Sequence, residues 1–334
     1  MPDFPNGDLL LTGATGFVGG VLLRRLLQEG VPALRLRVLA RDRRRAAALG
    51  LPDACIVDGD FADPASSAAL ARAAEGVQLV VHLAGSLKGY RRDHFDRVNV
   101  EGTARLVAVL AQCAPAAHVI CVSSLAAAGP RVDGSGSTAP PDRATPVSWY
   151  GDSKRRGELA VVQSGLPYTI VRPPVVYGPG DAATRLLFAQ ACAPLVVVPP
   201  TPRPLSVVNV DDVVAALLQA CRRRPAGAIV PLDGPERTDT HAFLRAIAAA
   251  VGRRARLLRV PLAVAKVGAV AADLWARLRA RPGFFSRDKM REIAACGWVA
   301  DGAAAVQQLA FTPQVHLADG LAAVARAERP AATS

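Results

Sequence analysis

The chain has 334 residues, of which 51% are hydrophobic and 20% are charged. This size and composition allow a large buried core and exclude a disordered chain. The formal net charge of +12 is carried mainly by arginine, and such a charge can serve a nucleic-acid surface, an anionic membrane surface or phosphorylated ligands. The basic clusters lack interleaved aromatic residues for base stacking, so we predict no nucleic-acid partner.

The cysteines and the first residues of the chain argue against a metal-binding, a secreted or a membrane-spanning protein. The 6 cysteines form no Cys-x-x-Cys pair, and no His/Cys cluster has metal-ligand spacing, so we predict no metal site and a reducing compartment. Met1-Pro2-Asp3-Phe4-Pro5 lacks the basic start and apolar run of a signal peptide. The longest apolar stretch, 257–275, contains charged residues and is not predicted to span a membrane. We therefore expect a cytoplasmic protein.

The first predicted strand, 9–12, is followed by three spaced glycines. Gly13 allows a tight turn, Gly16 lets the backbone approach a pyrophosphate, and Gly19 lets the next helix pack closely on the sheet. The N–H groups and the dipole of that helix favour phosphate groups. The pattern predicts a nucleotide-binding loop whose contacting residues are Gly13, Thr15, Gly16, Phe17, Val18 and Gly19.

The end of the second predicted strand, 34–40, indicates which cofactor is bound. An acidic residue there would hydrogen-bond the ribose 2′-hydroxyl and repel a 2′-phosphate. This chain has Ala40 followed by Arg41, and a guanidinium suits a phosphate, whereas Asp42 argues for the opposite. We predict NADP, with NAD as the alternative.

Apolar strands and helices then alternate along the chain. Strands are predicted at 54–61, 77–85, 118–122 and 168–172, and helices at 64–75, at 93–114 and from Trp149 onward. The alternation predicts an α/β protein with a doubly wound parallel sheet. Asp60 and Phe61 have two equal interpretations, an adenine contact and a plain turn.

Several motifs follow one another in a specific order: Thr12-Gly13-x-x-Gly16-x-x-Gly19, Asp60, Asn99, Ser124, Tyr150-x-x-x-Lys154, Arg172-Pro173, Asn209-Val210-Asp211-Asp212-Val213 and Leu309-Ala310-Phe311-Thr312-Pro313. Together they resemble the extended short-chain dehydrogenase/reductases over most of the chain, in particular the branch of steroid dehydrogenases and dihydroflavonol reductases. The resemblance implies a Rossmann-type doubly wound sheet with a smaller, mostly helical C-terminal substrate domain.

The resemblance also implies domain limits and further contacts. The cofactor domain is expected at 1–176, with 207–232 returning to it, and the substrate domain at 177–206 and 233–334. We expect a homodimer. The additional cofactor-binding residues implied are Leu83, Ala84, Gly85, Tyr150, Lys154, Pro173 and Val176.

Four residues are candidates for catalysis. Tyr150 and Lys154 share one face of a helix, and an ammonium beside a phenol lowers the pKa of the phenol, which favours Tyr150 as general acid or base. Ser124 is predicted to hydrogen-bond the substrate oxygen, with Ser123 as its rival, although either serine can instead cap a turn. Asn99 is the fourth candidate, and its alternative is a mid-helix asparagine that bonds only its neighbours.

Two positions in the sequence indicate the chemical class of the substrate. Nucleotide-sugar members of the family usually have an asparagine at the position of Val175 and a diphosphate-binding arginine at that of Leu205. We therefore predict an apolar carbonyl substrate, a steroid-like or flavonoid-like ketone or secondary alcohol, with nearby Arg203 as a counter-argument. The alternatives are a nucleotide-sugar epimerase or dehydratase and a non-catalytic cofactor-binding sensor or assembly protein.

Residues 260–280 have apolar positions on one face and arginines towards their end. Three interpretations are open: a core helix, a lid over an apolar substrate, and a helix that lies on a membrane surface. Burial in the core is the preferred prediction.

Overall fold

A computed structural model describes residues 7–89, 91–191, 193–278, 286–295 and 297–328, and the side chains of helical residues 271 and 273–278 are not described. The predictions for Met1-Pro2-Asp3-Phe4-Pro5, for two of the cysteines and for positions 279–280 fall outside the described residues.

The strands are β1 (Leu9–Thr12), β2 (Leu36–Ala40), β3 (Ile56–Asp58), β4 (Leu79–His82), β5 (His118–Val122), β6 (Tyr168–Arg172), β7 (Val175–Tyr177), β8 (Val196–Val198), β9 (Pro204–Leu205), β10 (Val207–Asn209), β11 (Ala228–Pro231), β12 (Thr238–Asp239) and β13 (Leu257–Arg259).

The helices are α1 (Phe17–Gln28), α2 (Arg43–Ala47), α3 (Ser67–Ala74), α4 (Arg92–Phe95), α5 (Thr103–Cys113), α6 (Leu125–Ala128), α7 (Trp149–Gln163), α8 (Ala182–Ala191), α9 (Val210–Arg223), α10 (Thr240–Ala250), α11 (Leu262–Leu278), α12 (Arg287–Ala294), α13 (Ala303–Leu309) and α14 (Leu317–Ala327). Single 3-10 turns lie at Ala33–Arg35, Asp53–Cys55 and Pro64–Ser66, and Asp96–Gly102 is a π-helical segment.

Seven parallel strands form the central sheet in the order β11-β6-β5-β4-β1-β2-β3. β1 pairs with β2 on one side and with β4 on the other, so the direction of winding reverses between β1 and β4. In such a sheet, ligands bind at the carboxyl ends of the strands beside this switch point. The topology confirms the predicted Rossmann-type doubly wound sheet.

Helices cover both faces of this sheet. Leu9 and Leu11 of β1 face a core cluster that includes residues of α1, α9 and α13, whereas Leu10 faces a second cluster with α3, α5 and α7. Alternate residues of a strand point to opposite faces, so a strand buried on both sides must be apolar throughout. α13 joins the first cluster although it lies beyond residue 232, where the sequence places the second domain.

The rest of the C-terminal region is mostly helical, as predicted. Its core contains Tyr177, Phe243, Ile247 and Leu321, contributed by β7, α10 and α14. Three two-stranded sheets, β7–β10, β9–β12 and β8–β13, accompany these helices. The exact division of the chain into two domains stays a prediction.

Two predicted helices differ in the structure. The long helix predicted at 93–114 is interrupted by the π-helical segment at Asp96–Gly102. The core prediction for 260–280 is wrong in the described part: within 262–270, only Ala269 is buried. α11 packs against α12, and its described residues 262–270 are partly or fully exposed except for Ala269. Apolar periodicity cannot tell whether a helix has a second neighbour. No helix in the described residues is long and apolar enough to cross a membrane.

Candidate active site

The glycine-rich turn joins β1 to α1 at the switch point. Gly13 has a φ of +77°, and a Cβ there would lie 2.6 Å from the backbone nitrogen of Ala84, so both conformation and space require glycine. The N–H of Gly16 donates to the carbonyl oxygen of Gly13 at 2.9 Å and closes the turn. A Cβ on Gly19 would lie 2.2 Å from that same oxygen, which explains how α1 approaches the strand so closely.

The start of α1 has the chemistry of a phosphate site. Gly16 is its N-cap residue, and within the described residues no side chain caps it. The first N–H groups of a helix have no intrahelical acceptor, here those of Phe17, Val18 and Gly19. These donors and the helix dipole suit an anion, so the turn fits the pyrophosphate of a dinucleotide. Thr15 lies in the same turn, and its carbonyl oxygen accepts from the Arg45 guanidinium at 3.4 Å.

The ends of β2 and β3 lie beside this turn. The guanidinium of Arg41 is mostly exposed, and its Nη1 lies 3.9 Å from Oδ2 of Asp60. Asp42 caps α2, since its Oδ1 accepts from the backbone N–H of Arg45 at 3.1 Å. The Asp42 carboxylate, whose charge disfavours a 2′-phosphate, therefore serves as the N-cap of α2.

Of the two interpretations of Asp60 and Phe61, an adenine contact and a plain turn, the structure shows the turn. Oδ1 of Asp60 accepts from the N–H of Ala62 at 2.9 Å. The ring of Phe61 is buried and packs edge-on against His82, with ring centroids 5.2 Å apart. The adenine contact of these two residues stays a prediction.

His82, which is not among the predicted site residues, is a packed strand histidine. Its Nδ1 lies 2.7 Å from Oγ1 of Thr12, and its Nε2 lies 3.0 Å from Oγ1 of Thr103. Burial, together with the positive charge of Lys154, lowers the pKa of His82 to about 3. The neutral ring is hydrogen-bonded through both nitrogens and so links β1, β4 and α5. It does not change its protonation state near neutral pH.

Ser124 and Tyr150 come together at the end of β5. Oγ of Ser124 accepts from the N–H of Ala126 at 3.2 Å, and the Ser124 hydroxyl is near enough to the phenol of Tyr150 to lower its pKa. The hydroxyl of Ser123 is buried and has no hydrogen-bond partner among the described residues. Of the two serines, Ser124 therefore both caps a turn and contacts the tyrosine.

The electrostatics of Tyr150 differ from the expectation. Burial raises the pKa of its phenol, the hydrogen bond from Ser124 lowers it, and the nearby Glu292 carboxylate raises it again. Lys154, one helical turn further along α7, donates from Nζ to the carbonyl oxygen of Val122 at 2.9 Å. Its ammonium is directed at the end of β5, and burial lowers the pKa of Lys154. Helical spacing predicted the shared face but not these separate partners.

Asn99 links the loop after β4 to α7. Its Oδ1 accepts from the N–H of Ser86 at 2.7 Å, and its Nδ2 donates to the carbonyl oxygen of Ser86 at 3.0 Å and to Oγ of Ser153 at 2.9 Å. The alternative that Asn99 bonds only its helical neighbours is therefore wrong. The π-helical segment shifts Asn99 out of the regular ladder, and such segments often accompany functional sites.

The loops after β4 and β6 complete the edge of the site. The N–H of Leu83 donates to the carbonyl oxygen of Thr12 at 3.1 Å, and Ala84 follows it against the glycine turn. A Cβ on Gly85 would lie 3.2 Å from Oδ1 of Asn99 and 3.6 Å from Nζ of Lys154, so this loop passes directly over both groups.

Behind this loop, Pro173 accepts from the N–H of Leu125 at 2.8 Å, and Val176 pairs with Val208 in β10. The predicted site residues therefore lie at the carboxyl edge of the sheet, in the turns and helices that follow its strands, or, for Asn99, Tyr150 and Lys154, on helical segments that approach this edge.

The residues that determine the predicted substrate class lie beside this edge. Val175 is 36% exposed, whereas Leu205 is buried. Nη1 of Arg203, the counter-argument, donates to the carbonyl oxygen of Ala295 at 2.6 Å. This guanidinium already bonds the backbone at the end of α12.

The sequence analysis missed α12, which meets the start of α7. The two carboxylate oxygens of buried Asp288 accept from the N–H groups of Trp149 at 2.6 Å and of Tyr150 at 3.2 Å. Oε1 of Glu292 accepts from Oγ of Ser148 at 2.7 Å. The Asp288 carboxylate satisfies N–H groups that a helix start leaves without acceptors, and Glu292 binds the hydroxyl of the residue before that helix. No local motif in the sequence connects positions 139 residues apart.

We expect Asp288→Ala to lower the free energy of unfolding by about 1–3 kcal/mol, because it leaves two N–H donors of α7 without acceptors. Urea unfolding followed by circular dichroism measures the change. Asp319→Ala is the matched control, because Asp319 is an exposed carboxylate in the first turn of α14. Equal stability of the two variants would show that the cap from α12 contributes nothing.

Comparison with known proteins is consistent with this geometry. The sequence profile of the NAD dependent epimerase/dehydratase family matches residues 9–230. The chain is 34% identical over 303 residues to ceramide reductase of Caulobacter vibrioides, covering 89% of this chain and 87% of the relative. It is 32% identical over 229 residues to a putative dihydroflavonol 4-reductase of Synechocystis, covering 64% and 62%.

Solved structures give the same fold. A dTDP-glucose 4,6-dehydratase from Streptomyces venezuelae, solved with NAD bound, superposes with a TM-score of 0.75 and covers 96% of this chain and 97% of its own. The identity of 23% makes this a likeness of fold alone.

Proposed function

Because this chain belongs to the NAD-dependent epimerase/dehydratase family, whose members are extended short-chain dehydrogenase/reductases, we propose that it is an NADP-dependent reductase of an apolar ketone. The observation that carries the proposal is the convergence of Ser124 and Tyr150 at the end of β5, where the Ser124 hydroxyl lowers the pKa of the Tyr150 phenol. A phenol and a hydroxyl that converge at the switch point form a donor pair for one carbonyl oxygen.

The proposed chemistry is the reduction of a ketone to a secondary alcohol. NADPH supplies the hydride when it is bound. Ser124 and Tyr150 hydrogen-bond the ketone oxygen, and Tyr150 passes its phenolic proton to that oxygen as the carbonyl carbon gains the hydride. The phenol of Tyr150, whose pKa burial raises, holds at neutral pH the proton that it would transfer. In this proposal Lys154 and Asn99 hold the loop and the helix that frame the reacting groups.

An apolar, lipid-like ketone is the proposed substrate class. A relative that matches 89% of the chain is named a ceramide reductase. Val175 and Leu205 are apolar where nucleotide-sugar enzymes usually have polar contacts. A diphosphate would need charged donors, because an unpaired buried phosphate is costly. Arg203 is held by the backbone of α12. A greasy chain or ring system instead gains from burial, at about 25 cal/mol per Å².

The preference for NADP is tested by Arg41→Ala. We expect the variant to bind NADPH more weakly by about 1–3 kcal/mol and NADH unchanged, because only the 2′-phosphate loses its charge-assisted hydrogen bond. Calorimetric titration with both cofactors measures this, and Arg24→Ala, an exposed arginine of α1, is the control. A wild-type protein that binds NADH as tightly as NADPH would contradict the preference.

The substrate class is tested by a screen of NADPH oxidation and thermal stabilisation. The NADPH complex is offered long-chain lipid ketones, steroid-like and flavonoid-like ketones, and UDP- and dTDP-sugars. We expect stabilisation and turnover with the apolar ketones. Stabilisation and epimerase or dehydratase turnover with sugar nucleotides alone would replace the proposal by its enzymatic alternative. Cofactor binding without turnover of any carbonyl would indicate a sensor or assembly protein.

A further inference from the structure

The outer face of α11 is apolar and open to solvent. Val264, Val267 and Val270 are 59%, 71% and 50% exposed. They follow one another at intervals of three residues and so share one side of the helix. Three large apolar side chains on one solvent-facing helical stripe are unusual for a surface that has no partner.

The two-stranded sheet before α11 also has exposed apolar side chains. Val197 of β8 and Leu258 of β13 are register partners, and they are 51% and 44% exposed. Register partners on parallel strands point to the same side, so the outer side of this sheet is apolar. Exposed Leu195 precedes β8, and α11 begins two residues after β13 ends. We call these six side chains, together with the basic residues described next, the apolar–basic face.

Exposed basic residues accompany these apolar residues along the chain. Segment 252–272 contains no acidic residue, and its basic residues are all exposed: Arg253, Arg254, Arg256, Arg259 and Lys266. The first three line a surface cavity of about 310 Å³ together with Ala193 and Pro194. Guanidinium groups around a shallow cavity suit a phosphate, since each can donate two parallel hydrogen bonds.

We propose that the apolar–basic face docks this protein on the surface of a lipid bilayer that contains anionic phospholipids. Apolar side chains that penetrate the interface and arginines that meet lipid phosphates are the two components of such binding. The arrangement disfavours a second copy of the chain as the occupant. A two-fold contact would place the same basic residues opposite one another, with like charges in contact.

The position of this face connects it to the candidate active site. α11 packs on α12, and α12 caps the helix that carries Tyr150. A bilayer bound at the apolar–basic face would therefore contact α11, which packs on the element that borders the site. This would bring a membrane-dissolved substrate close to the site without passage through water. The docking proposal itself stands on the surface alone and does not depend on the proposed reaction.

The test is co-sedimentation of the full chain with vesicles. We expect binding to vesicles of equal parts phosphatidylglycerol and phosphatidylcholine, and at least about tenfold weaker binding to phosphatidylcholine alone. The double variant Val264→Asp/Val267→Asp is expected to lower the partition coefficient about tenfold or more. Val306→Asp is the matched control, because Val306 is an exposed valine of helix α13, 51% exposed. Circular dichroism and NADPH titration confirm that each variant is folded.

A second pair of variants tests the basic residues of the apolar–basic face. Arg254→Glu/Arg256→Glu is expected to abolish the preference for anionic vesicles, whereas Arg24→Glu on α1 leaves it intact. The proposal is overturned if the valine double variant binds vesicles like the wild type. It is also overturned if light scattering without lipid shows a dimer that this variant dissociates, since a second copy would then cover the face. Vesicle binding requires no turnover, so failure of the ketone screen leaves this result unaffected.

Discussion

Replacing Tyr150 with phenylalanine is expected to lower kcat on the best ketone by about 10²–10⁴-fold while leaving NADPH affinity within about twofold. The change removes the transferable proton and the hydrogen bond with Ser124 but keeps the ring. Steady-state NADPH oxidation gives kcat, and calorimetric titration gives the affinity for NADPH.

Tyr168→Phe is the matched control for this prediction, because Tyr168 begins β6, at the end of the strand opposite the candidate site. It should leave kcat and cofactor affinity unchanged. If Tyr150→Phe retained a kcat near that of the wild type, another group would be the acid. The buried Ser123 hydroxyl and a water molecule would then be the next candidates.

The second large effect concerns the stability of the sheet. Glu158→Gln is expected to lower the free energy of unfolding by about 3–5 kcal/mol, because it leaves a buried guanidinium without its counter-charge. Arg172 and Glu158 are both 0% exposed and form two hydrogen bonds, from Nε to Oε1 at 2.9 Å and from Nη2 to Oε2 at 2.7 Å. Urea unfolding measures the change.

An exposed ion pair provides the control for this experiment. Asp58→Asn breaks the contact with Arg43 at 3.1 Å, and exposed pairs contribute at most about 1 kcal/mol. Nη1 of Arg172 also donates to the carbonyl oxygens of Ser137 and Ala139, both at 2.8 Å, and so anchors the segment between α6 and α7. A loss of less than about 1 kcal/mol in Glu158→Gln would show that this buried pair adds little to stability.

The amino-acid sequence by itself determined the Rossmann-type sheet and the nucleotide turn. Both the sheet and the turn are encoded locally, in short stretches of the chain. Gly13 needs a positive φ and Gly19 needs the space of a missing Cβ, and each requirement appears in the sequence as glycine. The doubly buried strands appear as continuous apolar runs between helical periods. The shared helical face of Tyr150 and Lys154 follows from their spacing alone.

Only the tertiary structure decided which groups those side chains meet. Lys154 bonds the end of β5, Glu292 acts on Tyr150, and Asp288 caps the start of α7. Each contact joins segments far apart in the chain, so no local pattern contains it. Burial is set in the same way by neighbours, because an apolar helix is buried only where another element covers it. α11 packs on α12, and Val264, Val267 and Val270 in its first half are exposed.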